Sequence, residues 1–155
     1  DYRAIRPDRA PALAAALAAG RLEAGPWYVL ADLLIPGGEA LVRNLLVGTR
    51  TVRTLGGEPP PVLYSPDAFG HSHAGPLLAR EFGFDVAIAW RGVGGPDHPA
   101  SAVMRWVHAS GASVLLHHLP PDGYEVGSAL PATMDGAVLR WRRSLRDALT
   151  ARNPA

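Results

Sequence analysis

An aspartate stands directly behind a short apolar run in residues 65–72, which read SPDAFGHS. Asp67 follows the run PVLY at 61–64, and an aromatic residue, a glycine and two histidines come after it. A carboxylate just past a buried strand can act as a nucleophile, a general base or a metal ligand. It can equally accept hydrogen bonds from the free backbone amides at the start of the next helix. The spacing alone leaves the reactive and the capping interpretations open.

Four histidines occur as two close pairs. His71 and His73 have the H-x-H spacing with which a strand can present two metal ligands on one side. Here the pair lies in a turn that enters a predicted helix, so structural roles are favoured. His117 and His118 end a predicted strand with side chains on opposite faces, so at most one of them faces a site. A histidine with satisfied hydrogen bonds in the core is the favoured interpretation there.

Three further side chains could bind a ligand. Arg91 ends the segment DVAIAWR and could hold a carboxylate or sugar hydroxyls through its planar guanidinium, or lie on the surface. Asp32 could form a pair of acids with Glu39, although the helix macrodipole also explains a glutamate near a helix start. Tyr124 could contact a ligand or pack beneath its loop. The GVGG at 92–95 lacks the spacing of a phosphate-binding loop.

The elements that must position these side chains follow from apolar periodicity and from glycine and proline. The expected order is a helix at 8–21, a strand at 27–30, a helix ending near 56–57, a strand at 62–64, a short helix within 74–83, a strand at 85–90, a hairpin at 104–119 turning at 110–111, and a closing helix marked by Met134, Val138, Trp141 and Leu145.

Alternation of strands and helices predicts a parallel sheet covered by helices. Functional groups in such folds collect beyond the carboxyl ends of the strands. Asp32, Asp67, Arg91 and the segment 117–124 all follow predicted strands. We therefore expect them to converge on one rim of the sheet.

Composition limits the chemistry and the partners. The 155 residues, 48% of them hydrophobic, suffice for a single domain over 1–155. All 15 basic residues are arginines and 14 acids offset them, so neither nucleic acid nor a membrane surface is expected as a partner. Cysteine is absent, so a metal would need His, Asp or Glu ligands. No apolar stretch approaches the roughly 20 residues that span a bilayer.

The stretch VLYSPDAFGHSHAGPLLAREFGFDVAIAWRGVG at 62–94 resembles the catalytic core of the family 38 glycoside hydrolases, the α-mannosidases. In that family an aspartate in a D-x-F-G-H-S motif follows one strand and an arginine ends the next. GRLEAGPWYVLADLLIPGGEALVRNLLVG at 20–48 and RWVHASGASVLLHHLPPDGYEVG at 105–127 resemble the flanking segments. The resemblance covers roughly residues 2–127, with several motifs in the correct order.

The resemblance implies a zinc-dependent retaining α-mannosidase acting on terminal α-mannosides or mannose-containing oligosaccharides. Asp67 would be both the nucleophile and a zinc ligand. Phe69 would lie beside the bound sugar, and Arg91 would belong to the same site. Tyr124 and Asp32 match positions that contact substrate or the edge of the cleft.

The resemblance also marks what the 155 residues lack. The family's usual second acid at the cleft edge is Leu33 here, and neither an H-x-D-x-x-W segment nor an N-G-x-D-H type motif occurs. We therefore expect the central part of an incomplete seven-stranded β/α barrel from a larger cytoplasmic hydrolase, inactive by itself and not retaining zinc. An open barrel edge could pair with a second copy of the chain to give a homo-oligomer.

Two other functions stay open at this point. A metal-dependent polysaccharide deacetylase uses a related barrel, but it would require an acid pair and an H-x-x-x-H ligand pair, and the sequence shows neither cleanly. A non-catalytic domain that binds sugar or a partner protein would account for the missing ligands. The presence of Asp67, Phe69 and Arg91 together argues against such a loss of the site.

Overall fold

The computed structural model describes residues 2–94, 102–120 and 123–124. The chain begins with helix α1 (Tyr2–Ile5), a 3₁₀ turn (Pro7–Arg9) and helix α2 (Ala10–Ala18), which confirms the helix predicted over 8–21. Helix α3 (Gly38–Thr54) is the long amphipathic helix that was expected next, and it buries Leu41, Leu45 and Val52. No helix among the described residues is long and apolar enough to cross a membrane.

Four strands of the described residues form one mixed sheet. They are β1 (Val62–Ser65), β2 (Val86–Ala89), β3 (Val103–Val107) and β4 (Ser113–His118), and their order is β1-β2-β4-β3. Strands β1, β2 and β4 are parallel, whereas β3 pairs antiparallel with β4. Helix α4 (Gly75–Glu81) connects β1 to β2. The α/β class and the hairpin are confirmed, while the seven-stranded barrel is not, because the described strands make a four-stranded sheet with an antiparallel edge.

One face of the sheet packs against the helices. Alternate strand residues turn to this face and are almost inaccessible, among them Leu63 at 1% and Ala87 at 2% exposed. They join Leu45 of α3 and Ala79 of α4, both fully buried, in a continuous core. This core fixes the sheet, and with it the strand ends from which the polar side chains project.

The strand predicted at 27–30 is wrong. Trp27 is buried and donates its indole N–H to Ser65 Oγ of β1 at 3.0 Å, but the residues after it run along α3 instead of joining the sheet. The side chain of Asn44 replaces the missing strand partner: its Oδ1 accepts from the backbone of Tyr28 and Val29, and its Nδ2 donates to the Val29 carbonyl at 2.7 Å. One amide side chain therefore binds three backbone groups of this apolar run.

The closing helix predicted around Met134–Leu145 lies outside the described residues. The hairpin turn does lie within them, and it uses Gly111 with φ +89°, a backbone conformation that only glycine adopts without strain. The prediction of a turn at 110–111 is thus confirmed, and the positive φ angle explains why a glycine occupies it.

Candidate active site

The loops that follow β1 and β2 meet because the two strands end in register. Ser65 pairs with Ala89, so the residues two positions further along each chain, Asp67 and Arg91, are brought to the same rim. The Pro66 carbonyl accepts hydrogen bonds from the backbone N–H of Trp90 at 3.1 Å and of Arg91 at 2.8 Å. The expected convergence at the carboxyl ends of parallel strands is confirmed for this pair.

Asp67 receives a hydrogen bond on each carboxylate oxygen. Arg91 donates from Nε to Oδ1 at 2.5 Å, and the Tyr124 hydroxyl donates to Oδ2 at 3.1 Å. The Arg91 hydrogen bond, followed by the bond from Tyr124 and the charge of Arg91, lowers the pKa of Asp67 against an opposing effect of desolvation. The carboxylate is about one third exposed, with 33% of its side-chain surface accessible. Asp67 is therefore an ionised and accessible acid.

Aromatic rings surround the guanidinium of Arg91. Its central carbon lies 5.1 Å from the centroid of Phe69 and 4.7 Å from that of Trp90, both within cation–π range. Trp90 also meets Tyr124 edge to face at 5.6 Å between centroids. Phe69 is 74% exposed, so the site presents a free aromatic surface beside the carboxylate. Trp90 was not predicted as a site residue, although its place directly before Arg91 at a strand end was a usable signal.

Asp32 joins a third loop to the site. Its Oδ2 accepts from the backbone N–H of Phe69 and its Oδ1 from that of Leu34, each at 3.2 Å. Asp32 and Glu39 do not form the acid pair that the sequence suggested. Glu39 instead forms an exposed i,i+4 ion pair with Arg43 in the first turns of α3. Asp32 thus ties the loop that bears Phe69 to the segment before α3.

The capping interpretation of Asp67 is wrong. Helix α4 begins only at Gly75, with Ala74 at its N-cap and no side-chain cap. Ser72 Oγ accepts from the Ala74 amide at 3.2 Å, so a serine supports the turn before this helix. Asp67 instead accepts its side-chain hydrogen bonds from Arg91 and Tyr124.

Two of the histidines donate hydrogen bonds to backbone carbonyls. His71 Nε2 donates to the carbonyl of Arg91 and His118 Nε2 to that of Trp90, each at 2.9 Å. His73, the other member of the H-x-H pair, is exposed. The structural roles favoured for His71 and His118 are confirmed.

The donor set does not make a zinc site by itself. Structural and catalytic zinc sites use three or four protein ligands. Within the part of the chain that is described, no group of three or more His, Asp or Glu side chains could hold a metal ion. Asp67 is one available carboxylate, and each of its oxygens keeps one lone pair beyond the bonds from Arg91 and Tyr124.

This arrangement suits chemistry on a carbohydrate. An ionised carboxylate with a lowered pKa can attack an electrophilic carbon or stabilise positive charge on it. An exposed aromatic ring supplies an apolar surface against which the C–H face of a sugar packs. Arg91 carries guanidinium N–H groups in addition to the Nε–H that Asp67 accepts, and these can donate to a ligand.

Comparison with known sequences gives a consistent result. Residues 2–150 match the sequence profile described as "Glycosyl hydrolases family 38 N-terminal domain". A protein of Halalkalibacterium halodurans named "Putative mannosylglycerate hydrolase" is 34% identical over 96% of this chain and 18% of its own length. An alpha-mannosidase of Saccharomyces cerevisiae is 30% identical over 67% of this chain and 10% of its own length.

Comparison of structures agrees. The crystal structure of an alpha-mannosidase from Enterococcus faecalis V583 superposes with a TM-score of 0.78 and 28% identity, covering 94% of this chain and 16% of that one. The chain thus spans less than one fifth of the length of each of these relatives.

Proposed function

Since the chain belongs to glycosyl hydrolase family 38, we propose that its full-length protein is a retaining α-mannosidase in which Asp67 is the nucleophile. The observation that carries this proposal is the geometry of Asp67, an ionised and one-third exposed carboxylate held by Arg91 and Tyr124 beside the exposed ring of Phe69. A retaining glycosidase requires such a carboxylate to attack the anomeric carbon.

The proposed reaction has two steps. One oxygen of Asp67 forms a bond to the anomeric carbon while the bond to the leaving oxygen breaks, and a second carboxylic acid donates a proton to that oxygen. Water then attacks the same carbon, gives a proton back to the second acid and releases Asp67. The second acid stands roughly 5 Å from the nucleophile in such enzymes. Because Asp32 already accepts two backbone N–H groups, we assign this role to a residue beyond the described ones.

The residues around Asp67 have distinct tasks in this scheme. Arg91 and Tyr124 keep the carboxylate ionised in the free enzyme. Phe69 packs beneath the sugar ring, and Asp32 fixes the backbone of Phe69 so that the ring stands at the rim.

Zinc enters the proposal only as a partner of Asp67. A bound zinc ion would hold sugar hydroxyls and favour the ionised carboxylate. Asp67 would supply one ligand, and the others would have to come from parts of the protein beyond the described residues. Metal analysis of the purified full-length protein tests this: we expect stoichiometric zinc in the wild type and a reduced content in Asp67→Asn.

The substrate class is a terminal α-mannoside. A mannosylated small acid is the second candidate, because one relative with 34% identity over 96% of this chain is named for mannosylglycerate. The deacetylase alternative loses its basis because the chain belongs to a glycoside hydrolase family. The non-catalytic alternative is decided by the following experiment.

The test is hydrolysis of an aryl α-mannoside and of mannosylglycerate by the full-length protein. Asp67→Asn should reduce the rate by about a thousandfold or more, the scale of losing a nucleophile. Asp85→Asn is the matched control, since Asp85 also pairs with an arginine, Arg80, but lies before β2 at the opposite end of the sheet. Equal rates for wild type and Asp67→Asn would refute the proposal, and a folded wild type without activity would favour a binding domain.

A further inference from the structure

The two residues that follow β2 have all of their backbone polar groups satisfied. The N–H groups of Trp90 and Arg91 both donate to the Pro66 carbonyl, at 3.1 and 2.8 Å. The carbonyl of Trp90 accepts from His118 Nε2, and that of Arg91 from His71 Nε2, both at 2.9 Å. A loop with four fixed backbone groups at consecutive residues has little freedom to rotate.

The hydrogen-bond partners of Trp90 and Arg91 come from two segments of the chain next to β2. Pro66 directly precedes Asp67 and His71 follows it by four residues, so the loop bearing the carboxylate contacts the segment bearing the arginine from both sides. His118 comes from the end of β4, where it pairs with Ala89 of β2. The loop after β1 and the end of β4, the two strands that flank β2, therefore fix one dipeptide.

We propose that His71 and His118 are positioning residues, which hold the backbone of Trp90 and Arg91 so that the Arg91 guanidinium meets Asp67. The kinetic consequence of this inference rests on the proposed function, whereas its geometric content does not. Both histidines act through Arg91 and neither is assigned to the reacting atoms.

The chemistry of the acceptors fixes the state of the rings. A carbonyl oxygen accepts hydrogen bonds and never donates, so Nε2 must carry the proton in both histidines. A glutamine amide nitrogen reaches about as far from the backbone as this ring nitrogen and also donates. Leucine fills similar volume but offers no donor.

The contacts of His71 extend to the edge strand. Its ring meets Trp106 of β3 edge to face at 5.8 Å between centroids, which orients the imidazole. Directly beneath the same indole lies Gly75, where a Cβ atom would collide with the ring. A chain of contacts thus runs from β3 through His71 to Arg91, and it gives the antiparallel edge strand a role in the site.

Anchoring is needed because Arg91 is a long and accessible side chain. Its exposed fraction is 43%, so water competes for its donors, and its flexible stem allows many rotamers. Fixing the backbone origin reduces the conformational freedom lost when Nε meets Asp67. The histidines supply that fixation at the carbonyl of Arg91 itself and at that of the preceding Trp90.

The experiment compares His71→Leu, His71→Gln and the control His73→Leu in the full-length protein. His71→Leu should lower kcat/KM by about tenfold to a hundredfold, because a small displacement of groups in an active site reduces the rate on that scale. His71→Gln should recover most of the loss, and His73→Leu should retain wild-type kinetics because His73 is exposed. In a protein that already carries Arg91→Lys, adding His71→Leu should lower kcat/KM by less than about threefold. Such non-additive losses are expected for residues that act as one unit.

A readout without substrate separates this inference from the proposed function. In crystal structures of the His71→Leu protein, the Arg91 guanidinium should leave Asp67 or occupy several positions, whatever the enzyme hydrolyses. His118→Leu tests the same claim from β4 if His71→Leu does not fold. Unchanged Arg91 geometry in the folded variant, or equal kinetic losses in both Arg91 backgrounds, would overturn the proposal. Lack of mannosidase activity in the wild type would count against the proposed function alone.

Discussion

Arg91 Nε lies 2.5 Å from Asp67 Oδ1, although the two residues are 24 positions apart in sequence. The contact has a simple cause: each residue stands two positions beyond one member of the β1–β2 pair Ser65 and Ala89. A local rule of strand register therefore produces a long-range ion pair. The loops around it then add Tyr124, Phe69 and Asp32.

Acidification should remove the contribution of Asp67 to stability. Its folded pKa is lowered by Arg91 and Tyr124, so the stabilisation is fully present above the unfolded pKa of about 3.9 and disappears as pH falls through the lower folded value. Thermal unfolding of the wild-type chain and Asp67→Asn at several pH values measures this. We expect the wild type to be the more stable at pH 7 and the difference to shrink below about pH 4. A pH-independent difference would contradict the assignment.

Gly92→Ala should damage the site as well as the fold. Gly92 has φ +73°, and a Cβ there would lie 2.6 Å from both Ala68 O and Gly70 N in the Asp67 loop. Gly83→Ala is the matched control, because Gly83 has φ +78° but nothing within 4 Å of an added Cβ. Backbone strain alone costs about 1–2 kcal/mol, so this is the expected loss for Gly83→Ala.

The two glycine variants should also differ in activity. Gly92→Ala should destabilise more than Gly83→Ala and reduce kcat/KM of the full-length protein by at least about tenfold. Gly83→Ala should leave kcat/KM near the wild-type value. Chemical denaturation and steady-state kinetics provide both numbers. Equal effects of the two variants would show that the loop contact is unimportant.

Asn44→Ala should loosen the segment around Tyr28 and Val29. The substitution removes three hydrogen bonds to their backbone, which lie in a region without sheet partners. We expect a loss of about 1–3 kcal/mol in the free energy of unfolding. The neighbouring Arg43→Ala, which breaks only an exposed ion pair, should cost less than about 1 kcal/mol. Urea denaturation of both variants makes the comparison, and a smaller loss for Asn44→Ala would be inconsistent with the structure.

Ser65→Ala should leave the indole N–H of Trp27 buried without its acceptor. Trp27 donates to Ser65 Oγ at 3.0 Å, and the two residues are 7% and 2% exposed. The expected cost is about 1–3 kcal/mol, because an unsatisfied buried donor loses its hydration without compensation. The double variant Trp27→Phe with Ser65→Ala should be less destabilised than the sum of the two single variants. Additive losses would indicate that this hydrogen bond contributes little.

The sequence predicted the parts of the fold that local patterns determine. Helix α3, strands β1 and β2, and the hairpin turn at Gly111 follow from periodicity and glycine placement. The segment at Trp27 was mispredicted because periodicity reports which residues are apolar and gives no information on what satisfies their backbone. Asn44, distant in sequence, supplies those hydrogen bonds here.

The candidate site likewise has features that local sequence patterns predict and features that they do not. Asp67 and Arg91 were predicted to converge because strand ends define a rim, and that convergence is found. The contact of Trp90 with the Arg91 guanidinium was missed, as was the hydrogen bond from His71 to the Arg91 carbonyl. Such contacts depend on rotamers and loop paths that a single sequence does not specify. The catalytic roles of these residues are still predictions.

The measurement that tests the central claim most directly is the identification of the residue that becomes glycosylated. A fluorinated mannosyl donor slows release of the covalent intermediate, and peptide mass spectrometry of the treated full-length protein locates the sugar. We predict one mannosyl group on the peptide that contains Asp67, and none on the Asp67→Asn protein. A sugar attached to a different carboxylate, or hydrolysis with inversion and no covalent adduct, would contradict the assignment of Asp67 as the nucleophile.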